Sequence, residues 1–158
     1  MGNEVRIMMV STKGRYALMV MLDLAGQDPE DYISLREVAE RQHISMKYLE
    51  SIVATLNKAG LVRSLRGKDG GYRLARSPKE CSVGEILRLT EGSMAPVSCV
   101  EPGGGCDKSG SCITYPMWRQ LDRLIDGFLS QVSLEDLLRG TLPDCPPSGE
   151  NNKICNCK

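Results

Sequence analysis

Apolar residues recur at helical spacing early in the chain. Tyr16, Met19, Val20, Leu22 and Leu24 form a broad stripe within residues 13–25, with Ser11-Thr12 ahead of it and Gly26 closing it. A polar turn, residues 27–31, follows. Ser34 then stands before a second periodic stretch, residues 35–41, and Glu37 three positions later completes a capping box. After the break Gln42-His43-Ile44, Ser45 opens a further helix over residues 46–59, which Gly60 is placed to end. Two short helices joined by a tight turn predict a helix-turn-helix, whose second helix is the usual reader of the major groove.

The pattern then changes period. Residues 61–66 and 72–76 predict strands, and Gly67-Lys-Asp-Gly-Gly71 between them supplies hairpin-loop chemistry. A hairpin directly after a helix-turn-helix predicts a winged helix-turn-helix, so the fold class is mainly α with a small β-hairpin wing. Ser82 caps another helix over residues 83–90. Residues 92–112 are a loop with five glycines, two prolines and three cysteines. A loop of that length calls for a function or an internal staple.

A long amphipathic helix is expected over residues 113–131, about 28 Å at the α-helical rise. Its apolar residues, Met117, Trp118, Leu121, Leu124, Ile125, Phe128 and Leu129, spread wider than one face. That width suits a helix packing on its own domain with one side and on a second subunit with the other. Ser133 caps a last short helix, residues 134–139. The chain thus divides into a winged helix-turn-helix DNA-binding domain (9–92), a cysteine-rich loop (93–112), a dimerisation helix with a short C-terminal helix (113–140) and a flexible tail (141–158) carrying Cys145, Cys155 and Cys157.

Composition changes this picture in three ways. One Phe and one Trp in 158 residues require a mainly aliphatic core. Net charge is zero, yet Lys58, Arg63, Arg66, Lys68, Arg73, Arg76 and Lys79 face only Asp69 across residues 58–79. That local excess of about six positive charges is the kind of field that attracts phosphates. No apolar run approaches the roughly 18 residues of a membrane span, and the N-terminus lacks the features of a secretory signal, so a cytoplasmic address is expected. In a reducing compartment, seven cysteines are ligands or reactive thiols before they are a disulfide framework. A single His, with no paired base and nucleophile, gives no catalytic constellation, and no enzyme is expected.

On the DNA side, the exposed face of the second helix is expected to carry Ser45, Lys47, Tyr48, Glu50 and Ser51. Lys47 suits phosphate or guanine. Glu50 repels phosphate, which leaves three roles: accepting from cytosine N4, excluding wrong sequences, or a solvated partner for Lys47. Arg66 and Lys68 at the wing tip are placed to reach phosphates or the minor groove, Arg66 being the candidate for minor-groove insertion, and Lys13 and Arg15 are placed for flanking phosphates.

The loop cysteines are Cys99, Cys106 and Cys112, and Gly103, Gly104, Gly105 and Gly110 give the backbone access to φ > 0 around them. Such a loop fits an iron–sulfur cluster, a zinc site with three thiolates, or a metal-free thiol switch. Candidates for a fourth ligand are His43, Tyr115, Asp107, Glu101, a tail thiol or a residue of a partner subunit. Cys81, beside a helix N-terminus, reads as a small buried residue.

Several motifs resemble one family. Ser11-Thr-Lys-Gly-Arg-Tyr-Ala-Leu18, Ile44-Ser-x-x-Tyr-Leu-Glu50, Leu56-Asn-Lys-Ala-Gly-Leu-Val62 and Arg66-Gly-x-x-Gly-Gly-Tyr72 resemble the Rrf-two (BadM-like) family of bacterial regulators. The cysteine triplet and Thr114-x-x-Met-Trp118 are similar to its IscR-like, iron–sulfur branch. The resemblance covers residues 9–140. It implies a homodimer paired through the long helix, each winged helix reading half of a palindromic operator in double-stranded DNA. It also implies a 2Fe–2S cluster on the three cysteines that modulates promoter choice, repressing or activating cluster-biogenesis genes, and operator discrimination at Glu50. The chain departs from the branch twice. Six residues separate Cys99 from Cys106, one more than in the proteobacterial type, and Tyr115 stands where that type has a ligating His.

Overall fold

The computed structural model describes residues 10–143. Residue 9 and most of the predicted tail, including Cys145, Cys155 and Cys157, lie outside the described residues. The helices are α1 (Thr12–Ala25), α2 (Leu35–Gln42), α3 (Met46–Lys58), α4 (Val83–Glu91), α5 (Tyr115–Gln131) and α6 (Leu134–Arg139). Strands β1 (Val62–Leu65) and β2 (Gly71–Leu74) form an antiparallel hairpin, and single 3-10 turns sit at Pro78–Glu80 and Ser98–Val100. The expected fold class is therefore what the chain adopts.

The helix starts follow from short-range chemistry. The Ser11 hydroxyl accepts from the Gly14 amide, and Ser34 and Glu37 satisfy each other's backbone amides reciprocally, as do Ser133 and Asp136. Ser45 occupies the N-cap position of α3 without a side-chain cap bond. His43 ends α2 in the left-handed region (φ 53°), which makes it the turn residue of the helix-turn-helix. Gly60, at φ 74°, stops α3.

The core is aliphatic. Ala17, Val20 and Met21 of α1, Val38 of α2, Leu49, Ile52, Val53 and Leu56 of α3, Ile86 of α4 and Leu134 of α6 are all fully buried. Each large side chain among them stabilises the fold by about 1.5–3 kcal/mol relative to exposure. Val83, Leu87 and Val132 form a smaller second cluster, with Leu129 and Leu137 packed on it.

Two long-range pairings have no counterpart in the sequence pattern. Ile33 exchanges both backbone hydrogen bonds with Tyr72 (2.9 and 2.8 Å), adding a one-residue third strand to the wing. A Cβ at Gly71 would collide with the Ile33 carbonyl, so the wing seats only with glycine there. Residues 82 and 133 also pair: Val83 N donates to Val132 O (2.8 Å) and Leu134 N to Cys81 O (3.0 Å). Cys81 is fully buried at this junction, and burial pushes its thiol pKa up, as expected of a packing residue.

α5 is shorter than expected, beginning at Tyr115, because Pro116 lies in its first turn and Thr114 precedes it as the cap. None of its residues is buried. It leans on α4 where Gly84 approaches the Leu129–Ser130 backbone, a Cβ there falling 3.0 Å from Ser130 N. Arg88 of α4 is ion-paired with Asp126 and reaches Ser130 Oγ at 3.2 Å.

Candidate functional site

The helix-turn-helix is locked by a clamp. Asp23 of α1, its side chain only 4% exposed, takes Arg41 Nη2 at 2.6 Å, Arg41 Nε at 3.0 Å and Gln42 Nε2 at 2.8 Å. Burial pushes this carboxyl up, but the bonds from Arg41 and Gln42 and the charge of Arg41 hold it below the usual aspartate value. The clamp ties the end of α2 to α1 and so sets the angle at which α3 leaves the turn.

Leu49, Ile52, Val53 and Leu56 point into the core, which turns the opposite face of α3 to solvent. Ser45, Lys47, Glu50 and Ser51 are exposed on it. Among the described residues neither Lys47 nor Glu50 is ion-paired, so Lys47 is not the partner that occupies Glu50. Tyr48 departs from the expected outward face: it is half-buried against the core, edge-on to Tyr16 at 5.8 Å between ring centroids. Such a pair rigidifies the start of α3.

On the wing, β1 ends at Leu65, which leaves Arg66 and Lys68 exposed in the hairpin loop, with Gly67 at φ 119° between them. The basic stretch is less free than its sequence suggests. Arg73 is held by Glu30 Oε2 (3.0 Å) and the Pro29 carbonyl (3.2 Å) and lies over the Tyr32 ring, and Arg76 pairs with Glu85 at 2.7 Å. Arg63, Arg66 and Lys68 stay exposed. The α1 N-terminus carries exposed Arg15 and half-buried Lys13. Glu91, the last residue of α4, reaches it: its Oε1 accepts from Ser11 N (3.1 Å) and Ser11 Oγ (2.7 Å). The two residues are 80 positions apart, and no sequence signal joins them.

Cys99 sits in the 3-10 turn Ser98–Val100, and Cys99, Cys106 and Cys112 are all half-buried, reduced thiols. The expectation for the loop glycines needs correction. Of the four, only Gly103 takes positive φ (77°); Gly104 is required by its closeness to the Ser98 carbonyl; Gly105 and Gly110 have open space around them. The Cys112 sulfur is 3.3 Å from Thr114 Oγ1, and the Thr114 hydroxyl with the Thr114 and Tyr115 amides lowers the thiol pKa. Tyr115 begins α5, with the Arg119 guanidinium 5.9 Å from its ring centroid. Under the loop lies a cavity of about 320 Å³ between Arg88, Met94, Val100, Pro102, Asp122 and Asp126.

The donor chemistry fits a thiophilic metal or cluster: three accessible cysteines, one with its thiolate favoured by hydroxyl and amide donors. The side chains are not gathered. Among the described residues no three Cys, His, Asp or Glu side chains stand together as a metal-holding group, and neither His43, Glu101 nor Asp107 completes one. Also among the described residues, no helix is long and apolar enough to cross a membrane.

Comparison with known proteins agrees with the fold. The Rrf2 family model, described as an iron-dependent transcriptional regulator, matches residues 10–140. The HTH-type transcriptional regulator IscR of Photorhabdus laumondii subsp. laumondii is 40% identical over 131 residues, which are 83% of this chain and 79% of that protein. Among solved structures, T. potens IscR is 39% identical with a TM-score of 0.67, the match covering 84% of this chain and 87% of that one. CymR, the global cysteine regulator of B. subtilis, is 35% identical with a TM-score of 0.71, over 84% of this chain and 98% of that one.

Proposed function

The chain belongs to the Rrf2 family of transcriptional regulators, and from that premise we propose that it is an iron–sulfur-responsive regulator acting as a homodimer on palindromic operator DNA in the cytoplasm. The observation that carries the DNA half is the outward face of α3, where Ser45, Lys47, Glu50 and Ser51 are exposed on a helix fixed by its buried opposite face. Lys47, Lys68, Lys13 and Arg15 bind phosphate, Arg66 enters the minor groove, and Glu50 selects between operator sequences by what it repels. Tyr48 contributes by holding α3 against Tyr16. Each protomer uses residues 9–92 to read DNA and 113–140 to pair.

In this reading Cys99, Cys106 and Cys112 hold a 2Fe–2S cluster, with Tyr115 a candidate for the fourth position. A bound cluster supplies a redox couple and a site that oxidants destroy. The chain's part is to bring three thiols of residues 93–112 together, and that gathering repositions the segment between α4 and α5. The genes controlled are those that build iron–sulfur clusters, as the resemblance of the cysteine loop and the Thr114-x-x-Met-Trp118 motif implies.

The test is the visible absorption spectrum and metal content of protein purified without oxygen. A coloured protein with iron and sulfide in equal amounts supports the reading. A colourless protein with stoichiometric zinc, or with no metal, overturns it. Cys106→Ala should lose the chromophore and change operator preference while staying folded. Arg66→Ala should weaken operator binding by about 1–3 kcal/mol and relax specificity, measured by titration of labelled duplex. A second reading, a thiol-redox or zinc-responsive regulator without the cluster, is favoured by the separation of the three cysteines among the described residues and by the likeness to CymR. It predicts that oxidant alone changes DNA affinity of metal-free protein.

A further inference from the structure

We propose that Glu91 is a positioning residue for DNA binding: from the last turn of α4, where the cysteine loop starts, its carboxylate fixes the N-terminus of α1 and with it Lys13 and Arg15. The inference rests on the reading that Lys13 and Arg15 meet DNA phosphates.

Three observations converge on Glu91. Its Oε1 accepts from both the amide and the hydroxyl of Ser11, at 3.1 and 2.7 Å. The same Ser11 hydroxyl accepts from the Gly14 amide at 3.1 Å, so one side chain caps α1 and is itself held from α4. Gly14 is buried, and a Cβ there would collide with Glu91 Oε1. The glycine between Lys13 and Arg15 is thus the space the carboxylate occupies.

Position in the chain gives the contact a direction. Gly92, at φ 78°, follows Glu91 at once and turns the backbone into the cysteine loop. One turn before Glu91, Arg88 grips Asp126 and Ser130 of α5. The last turn of α4 therefore touches the loop, α5 and the start of α1 together. A shift of that turn moves the α1 N-terminus because two hydrogen bonds from Ser11 end on the same oxygen. A carboxylate facing DNA directly would repel phosphate. Engaged by Ser11, it acts through the backbone that presents Lys13 and Arg15.

The experiment measures affinity of the full chain for a duplex selected from a random pool by the parent protein, over a salt series. Glu91→Ala should lower affinity about fivefold or more and reduce the salt slope by about one, the loss of one phosphate contact. Gly14→Ala, which displaces the carboxylate while leaving Glu91 in place, should do the same. Glu91→Gln, whose amide oxygen still accepts from Ser11, should restore most of the affinity and the slope. Combining Glu91→Ala with Lys13→Ala and Arg15→Ala should cost no more than the double Lys13, Arg15 variant alone. General loss of stability would not change the salt slope or give that non-additivity. If Glu91→Ala and Gly14→Ala keep the parent slope while the Lys13, Arg15 variant loses it, the positioning role is overturned and the DNA-binding surface stands. If the Lys13, Arg15 variant also binds as the parent does, the α1 N-terminus is not part of the DNA surface, and both readings fall.

Discussion

Asp23 shows what one residue does in this fold. Its carboxyl lies below its ordinary pKa because Arg41 and Gln42 outweigh burial. A depressed carboxylate adds stability that is present above the unfolded-state value and lost as pH falls through the folded value. The loss therefore belongs below about pH 4. Arg41 is 40% exposed, so solvent screening limits the gain, and Asp23→Asn should cost about 1 kcal/mol near neutral pH. Urea unfolding from pH 7 down to strong acid should show a shallower acid limb in the variant. Glu37, Glu80 and Asp136, each lowered first by the hydroxyl of its capping serine, keep part of that limb. The capping pairs were legible in sequence where a helix of two or more turns followed, as at Ser34 and Glu37, because the partners stand three apart. The Asp23–Arg41 clamp was not, since 18 positions separate its ends and only the fold joins them.

Among the elements, the wing and the α4–α5 contact each depend on a glycine. Gly71→Ala would drive a methyl into the Ile33 carbonyl and break the two hydrogen bonds that seat the wing. The expected cost is about 1–3 kcal/mol of stability, with a fall in operator affinity larger than that of a destabilised core variant. Denaturant unfolding and duplex titration on the same protein check this. Helices with strong periodicity and clear caps, and the hairpin with its glycine loop, could be read directly from the chain. A one-residue strand at Ile33 and a three-residue turn at Pro78–Glu80 could not, because neither is long enough to leave a period. The cysteine loop was legible as chemistry but not as geometry. Its glycines permit conformations that only Gly103 adopts among the four.

For the molecule as a whole, α5 is the feature that matters most. It has 17 residues, none buried, with Met117 52%, Leu124 47% and Phe128 36% exposed and Ile113 just before it 96% exposed. An apolar stripe of this kind belongs under a partner. If that partner is a second copy, the melting temperature should rise with protein concentration, because only the paired state gains from mass action. Leu124→Glu with Phe128→Glu should remove that dependence and sediment as a monomer, with α1–α4 still folded by circular dichroism. Unchanged sedimentation would assign the stripe to something other than self-association. The width of the apolar pattern on this helix was visible in the sequence. How little of it the described residues cover was not, because covering depends on where α4 lies.

The pairing of residues 81–83 with 132–134 carries a consequence for how the protein assembles. Everything from the start of α4 to the end of α5 is an excursion whose two ends are fastened side by side. Closing a flexible loop of about fifty residues costs roughly 3.5 kcal/mol of chain entropy, so this fastening is expected to be a late step, with the helix-turn-helix and wing, built from nearby segments, forming ahead of it. Pulse-labelled hydrogen exchange during refolding should protect the amides of Leu49 and Ile52 before those of Val83 and Leu134. The segment that carries the three cysteines is then, in kinetic terms, a loop that the helix-turn-helix closes after itself.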